Sequence, residues 1–481
     1  MACTFVTPEL AARIASDPWR PQYHFMPPAQ WMNDPNGPVF WKGRYHLFYQ
    51  HNPGAAVWGN MHWGHAASAD LVHWEHLPIA LAPDPDGPDV DGCFSGTALV
   101  DGDAVRLIYF GNPHGICLAT SIDDDLIRWE KHAANPVIPR PAPNGEYIVY
   151  DPCMWKAGDT YYALSGGSTP ERRDTAFLFR SRDLEHWEYM HPFYDAGDFS
   201  DPGEDCAVPD FFPLGSRHVL LFASHLRGAQ YYVGTYADDR FSPLGHGRMV
   251  YCPPAGRVGT FCEGYRTTAP DGRCILFGRV SEGTTQEYYK DSGWSGVATL
   301  PRELALAADD TLLVEPVREL AALRRSSVTV AAMEVGADTV VPLRAARGAC
   351  LELAATLALG GATACGLAVR CSPGGEEQTL VRYDRAAAAL TLDVSHSSLS
   401  PHVENVLPET GPLALAPGEA LRLRVFVDRS VVEVFANGRL CLTRRVYPTR
   451  ADSLGVSVFA QGGAARMRGL TAWEMAGTWD D

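Results

Sequence analysis

At 481 residues the chain is long enough for two or more domains with substantial cores, and 46% apolar with 20% charged residues is an ordinary globular composition. A formal net charge of −17 and a pI near 5.4 argue against nucleic acid or an anionic membrane as the main partner and leave neutral ligands open. The 45 glycines and 36 prolines, with abundant aromatics, favour many short strands and turns over long helices.

The first residues, Met1 to Pro21, lack a basic start followed by a sufficient apolar run, so no secretory leader is expected. No apolar stretch reaches the ~18 residues of a membrane span. Twelve cysteines are scattered without a Cys-x-x-Cys pair or a Cys/His cluster at zinc spacing, and the chain has no Asn-x-Ser/Thr sequon. The expectation is free thiols in a cytoplasmic protein that uses no metal and no cofactor.

Trp31-Met32-Asn33-Asp34-Pro35-Asn36-Gly37 packs an indole, two carboxamides and a carboxylate between turn-forming residues. Such a set suits a polyhydroxylated ligand, with hydrogen bonds to hydroxyls and an aromatic face against a sugar ring. It also suits an Asx-turn in which Asp34 and Asn36 bond their own backbone.

A repeat follows. Asp70-Leu71-Val72-His73-Trp74-Glu75 recurs as Asp125-Leu126-Ile127-Arg128-Trp129-Glu130 and as Asp183-Leu184-Glu185-His186-Trp187-Glu188, with the tryptophans 55 and 58 residues apart. Asp238-Asp239-Arg240-Phe241 reads as a degenerate fourth copy. Each period holds an apolar strand: Tyr45–Gln50, Val105–Phe110, Tyr161–Ser165, His218–Ala223 and Cys274–Val280. A polar motif precedes each of them: Asn33-Asp34, Phe94-Ser95-Gly96, Asp151-Pro152, Glu204-Asp205 and Glu263. Five strand-rich units of this length predict the blades of a β-propeller, whose innermost strands bring distant polar groups to one axis. The repeated tryptophans, one per unit, are expected to pack between blades.

The catalytic propeller domain is expected over residues 20–305. Residues 306–326 read as a linker with a short helix at Val317–Leu323. From 327 to 478, strands alternate with turns, and Asn437-Gly438 between Val431–Phe435 and Leu440–Arg444 is a strong hairpin signal. The fold class is therefore all-β: a five-bladed β-propeller followed by a C-terminal β-sandwich.

The 31–37 motif resembles the signature of glycoside hydrolase family 32, the invertases, inulinases, levanases and related fructosyl enzymes. The likeness continues through Phe48-Tyr49-Gln50, Trp58 to His65, Cys93-Phe94-Ser95-Gly96, Gly293-Trp294-Ser295-Gly296 and Leu300 to Leu304. It resumes at Val425 to Phe435. The resemblance implies a five-bladed propeller with a funnel-shaped pocket joined to a β-sandwich. It also implies a retaining β-fructofuranosidase acting on sucrose or short fructo-oligosaccharides through a covalent fructosyl-enzyme intermediate.

It makes Asp34 the nucleophile, with Asn33 and Gln50 bonding the carboxylate and fructosyl hydroxyls. It makes Asp151 the transition-state stabiliser, although the family's Arg-Asp-Pro is Tyr150-Asp151-Pro152 here, which removes a guanidinium fork. The family's Glu-Cys-Pro-Asp is also altered, to Glu204-Asp205-Cys206-Ala207-Val208-Pro209-Asp210. Aligning Pro209-Asp210 puts Ala207 where the acid should be; aligning the Glu before Cys206 gives Glu204 as acid/base, with Asp205 second. Glu263 is a third candidate or a substrate contact. Trp58, Phe94, Ser95 and Tyr150 complete the expected sugar site; Trp31 and Trp63 are weaker candidates for its wall. The partner expected is a small-molecule sugar, with monomer and homodimer both open. A fructosyltransferase, or a catalytically silent fructoside-binding protein, fits the same residues.

Overall fold

The computed structural model describes residues 6–143, 145–252, 259–404 and 407–478; the expected domains also take in residues 144, 253–258 and 405–406, which lie outside the described residues, as does Cys3. The protein is mostly β, 54% strand and 5% helix. No described helix is long and apolar enough to cross a membrane. The chain opens on a helix, Pro8–Ser16, that the sequence reading did not anticipate; Thr7 caps it by accepting the Leu10 N–H at 3.2 Å.

Five antiparallel sheets of four main strands succeed one another along residues 30–316. Their first strands are Gln30–Trp41, Gly92–Asp101, Pro152–Ala157, Ala207–Leu214 and Phe261–Thr268. Each lies against the first strands of its two neighbours, and the fifth returns to the first, closing a ring. A late strand, Trp294–Ser295, adds to the first sheet in parallel with Gln30–Trp31 and ties the ring's two ends.

The five apolar strands read from the sequence lie within the second strands of these sheets: Arg44–Asn52, Ala104–Asn112, Thr160–Ser168, Arg217–Ser224 and Cys274–Val280. Their side chains alternate between the two faces and fill the space between neighbouring sheets. Phe48 and Trp63 of the first sheet thus share a core with Leu107 and Tyr109 of the second. Each such side chain, when fully buried, gains about 1.5–3 kcal/mol of transfer free energy.

The repeated Asp-to-Trp motif builds one turn three times. Leu71, Leu126 and Leu184 take left-handed backbone at φ +70°, +56° and +70°. Trp74, Trp129 and Trp187 then donate their indole N–H to those leucine carbonyls at 3.0, 2.8 and 2.9 Å. An upstream carboxylate accepts the turn's amides: Asp70, Asp123 and Asp183. Two of the rings reach the adjacent sheet, Trp74 to Phe277 and Trp129 to Phe48. The degenerate copy differs: Asp238 and Asp239 form a two-residue hairpin with positive φ, and Phe241 packs against Phe193.

The expected linker, 306–326, holds more than a helix. Leu312–Pro316 pairs with Arg302–Leu306 as the outermost strand of the fifth sheet, so that sheet runs on to Pro316. Its apolar residues, Leu312 and Val314, alternate at strand spacing and are buried. Only Arg318–Leu323 is helical, as a 3-10 turn.

Beyond it, two six-stranded sheets stack, one ordered from Arg324–Val330 to Leu440–Arg445 and the other from Thr339–Arg347 to Glu409–Pro412; the short Met333–Val335 strand joins the first. Leu353, Leu367, Val381, Val425 and Val458 are among the fully buried residues between them. Asn437 and Gly438 at φ +52° and +69° form the anticipated hairpin.

A buried polar cluster joins the two halves of the chain. Asp428 accepts the backbone N–H groups of Gln22, Tyr23 and His24, and Glu433 accepts from Leu300 N–H at 2.7 Å and Arg302 Nη2 at 2.6 Å.

Candidate functional site

A cavity of about 670 Å³ opens at the centre of the ring of first strands, and Asp34, Asp151 and Glu263 all line it. What aims these side chains is a recurrent irregularity. The pairing between first and second strands slips at Asn33-Asp34, at Phe94-Ser95, at Val208-Pro209 and at Cys262-Glu263. Each slip inserts one extra residue into the first strand and bends it, as a β-bulge does. Asp151 reaches the cavity differently, from the residue just before its strand, Pro152–Ala157.

Asp34 is held by a set of donors. Ser95 Oγ donates to Asp34 Oδ2 at 2.6 Å, and Asn33 Nδ2 donates to Oδ1 at 3.0 Å. Trp31 Nε1 in turn donates to Asn33 Oδ1 at 2.7 Å, which fixes the amide. Arg279 Nη1 stands 3.9 Å from Asp34 Oδ1, while Arg279 Nε contacts Glu263 Oε1 at 3.0 Å. Arg279 thus links the two carboxyls. Burial alone would raise Asp34, but the neighbouring Glu263 carboxyl, the Arg279 charge and the Ser95 and Asn33 donors together bring it below the usual carboxylate range. Glu263 moves the other way: burial pushes it well up, and the Asp34 charge adds to this against the pull of Arg279.

Asp151 is raised to about 7 by burial and then by the charge of Asp34. The arginine that the family motif would place beside it is Tyr150, half-exposed and stacked over Phe110 at 6.5 Å. Around the mouth stand Trp58, 60% exposed and edge-on to Phe94 at 5.9 Å, and His225, 6.1 Å from the Tyr150 ring. Gln50 lines the cavity and is fixed by donating to the Cys93 carbonyl at 3.0 Å.

Of the expected site residues, Asn33, Asp34, Gln50, Trp58, Phe94, Ser95, Tyr150, Asp151 and Glu263 come together here. Glu204 and Asp205 do not line the cavity. Glu204 is buried inside the fourth sheet, where it bonds Gln230 and Arg248 at 3.2 Å each and accepts the Asp201 N–H. Asp205 turns to His225, accepting its N–H at 2.8 Å and meeting its ring at 2.5 Å. The fourth sheet shows the cavity Ala207 and Val208 instead.

Two basic lining residues were missed in the sequence. Arg279 is the lone charge in the apolar strand Cys274–Val280, which was the available signal; His225 directly follows the Arg217–Ser224 strand and carried none. No group of three or more His, Cys, Asp or Glu side chains among the described residues is arranged to hold a metal ion.

Comparisons with known proteins identify the family of the chain. Residues 24–316 match the model of the glycosyl hydrolases family 32 N-terminal domain, and residues 319–474 match that of the family 32 C-terminal domain. A sucrose-6-phosphate hydrolase of Zymomonas mobilis is 34% identical over 96% of this chain and 93% of its own length. A levanase of Bacillus subtilis is 32% identical over 96% of this chain and 71% of its own. Fructan 1-exohydrolase IIa from Cichorium intybus superposes with a TM-score of 0.86 at 25% identity, covering 96% of this chain and 98% of that one. The chain belongs to glycoside hydrolase family 32 and is a hydrolase of fructosides.

Proposed function

We propose that the protein is a retaining β-fructofuranosidase that releases terminal fructose from sucrose, its phosphorylated form or short fructo-oligosaccharides. The five sheets read as the blades of a propeller over residues 20–316, and the two stacked sheets from 324 as its companion sandwich. The observation that carries the functional reading is the pairing of Asp34 with Asp151 across one cavity, Asp34 held ionised by the Ser95 and Asn33 donors and the Arg279 charge. An ionised, oriented carboxylate is what a nucleophile at the anomeric carbon requires.

Asp34 attacks C2 of the fructosyl ring as the bond to the leaving sugar breaks. Asp151 grips fructosyl hydroxyls and stabilises the oxocarbenium-like transition state, with Asn33 and Gln50 bonding the remaining hydroxyls. Water then resolves the Asp34 ester. Trp58 and Phe94 at the mouth offer apolar faces to the leaving sugar, beside Tyr150. Relatives named as sucrose-6-phosphate hydrolases and a levanase support a fructosyl donor of this class. The eleven described cysteines, all free, support a reducing and hence cytoplasmic setting.

Incubation of the purified chain with sucrose, sucrose 6-phosphate, kestose, inulin and levan tests the reading by fructose release. Absence of turnover on all five rejects it.

A further inference from the structure

We propose that Glu263, on the fifth sheet, is the acid/base residue of this enzyme in place of a glutamate on the fourth. The inference rests on Asp34 being the nucleophile and adds to it the group that moves the proton.

Three observations lead there. First, the fourth sheet offers no carboxyl to the cavity. Its bulge carries Val208 and Pro209, and Ala207 beside them stands where the family pattern puts the acid. The two acids upstream are committed elsewhere, Glu204 to Gln230 and Arg248, Asp205 to His225. Second, the bulge of the fifth sheet is built like that of the first. Asn33-Asp34 slips between Met32 and Pro35, and Cys262-Glu263 slips between Phe261 and Gly264. The last residue of each slip is a carboxylate facing the same cavity, and the two strands are neighbours in the ring. Third, Arg279 stands between the two carboxyls, its Nε 3.0 Å from Glu263 Oε1 and its Nη1 3.9 Å from Asp34 Oδ1. The donors from Ser95 and Asn33 stabilise charge on Asp34, while burial and that neighbouring charge keep the proton on Glu263.

This is the resting state that the first step requires. Retention needs the two carboxyls about 5–5.5 Å apart, with the fructosyl ring seated between them. The C2–O bond to the leaving sugar then breaks while an Asp34 oxygen bonds to C2. The Glu263 proton passes to the departing oxygen, and Arg279, in contact with Glu263 at 3.0 Å, faces the carboxylate left behind. In the second step water attacks C2, its proton returns to Glu263, and the Asp34 ester bond breaks.

Loss of the proton donor matters most when the leaving group is poor. Glu263→Gln should lower kcat/KM on sucrose by ~10²–10⁴-fold, but slow a 4-nitrophenyl β-fructoside, whose leaving group needs no proton, far less. Added azide should restore turnover and yield a fructosyl azide of retained configuration. Glu263→Asp keeps a carboxyl and should stay above Glu263→Gln on sucrose and keep the alkaline fall of the pH profile. The proposal is overturned if Glu263→Gln hydrolyses sucrose at close to the wild-type rate, or if it slows both substrates equally without an azide response. An Asp34→Asn variant made in parallel separates the two readings. Dead Asp34→Asn beside active Glu263→Gln removes only the assignment of Glu263; an Asp34→Asn that turns over normally removes the nucleophile and this inference with it.

Discussion

The ring of His24 and the carboxylate of Asp428 meet at 2.8 Å in the interior, joining the start of the first domain to the sandwich. Neither is exposed, and His24 Nε2 continues to Glu433 Oε1 at 3.2 Å. Asp428 and Glu433 both belong to the Val425–Phe435 stretch, whose likeness to the family has a physical reason here: its two acids receive the chain that leads into the first sheet and the start of the fifth sheet's third strand, Arg302–Leu306.

Removing Asp428 leaves His24 buried with one carboxylate partner instead of two. Asp428→Ala should therefore cost about 3–5 kcal/mol, read as a lowered urea midpoint, with three backbone N–H groups also left without their acceptor. The pH dependence follows from the directions. Burial opposes the charge on His24, but its bonds to Asp428 and Glu433 win and raise it above 6.5. That stabilisation is full below 6.5 and is lost as pH rises through the folded value. Asp428 is lowered from 3.8 and Glu433 to about 2, against burial, by His24 for the first and by Arg302 and then His24 for the second. Their share is present above pH 4.5 and is lost as pH falls through those lowered values. A stability maximum between about pH 4.5 and 6.5 is expected from this cluster, and Asp428→Ala should flatten it in pH-dependent urea melts.

Asp34's place in the cavity was legible because part of its environment is local in sequence: Trp31, Asn33 and Asp34 form one bonded chain within four residues, although Ser95 and Arg279 are remote. Asp151 was legible for the same reason, before a proline at the start of a strand. Glu204 was misplaced because lying two residues before Cys206 says nothing about register. The chain at Asp201–Glu204 folds into a turn under Arg248, and the strand that lines the cavity begins only at Ala207. Arg279 was hidden by its neighbours, since a strand of apolar residues reads as core until the sheet order shows which end meets the cavity.

Ser95 tests how much of the nucleophile's charge depends on one donor. Ser95→Ala deletes the 2.6 Å bond to Asp34 Oδ2 while leaving Asn33 and Arg279 in place. A hydrogen bond to a charged group is worth about 1.5–3 kcal/mol, so kcat/KM should fall by ~10–150-fold. The same loss moves Asp34 upward, while the acid limb of the pH–rate profile, set by Asp151 near 7, should stay in place. Steady-state kinetics from pH 4 to 8 would record both; a kcat/KM equal to that of wild type would show that Ser95 does not support the ionised carboxylate.

Tyr150 gives a prediction of opposite sign. Asp151 lies near 7 through burial and the Asp34 charge, with no guanidinium beside it. Restoring one by Tyr150→Arg places a positive charge next to the carboxylate, and such neighbours lower an Asp by about 1–3 pH units. The acid limb of kcat/KM should move down by at least about one unit. A limb that stays in place means that Asp151 is not the group whose ionisation limits the acid side.

Asp151 also carries a cost in stability that function explains. Its folded value, about 7, lies above the 3.8 of an unfolded Asp, so between these limits the folded chain binds the extra proton. Stability from this group is full below pH 3.8 and declines as pH rises to about 7, where the buried side chain must ionise. Asp151→Asn holds the same shape without that charge. The variant should melt higher than wild type at pH 8, show little difference at pH 4, and lose fructoside hydrolysis at both. Differential scanning calorimetry at the two pH values decides it. A variant less stable than wild type at pH 8 would mean that the carboxylate is held by compensating donors, and that its elevation is not the strain of a site kept ready for an electron-poor sugar ring.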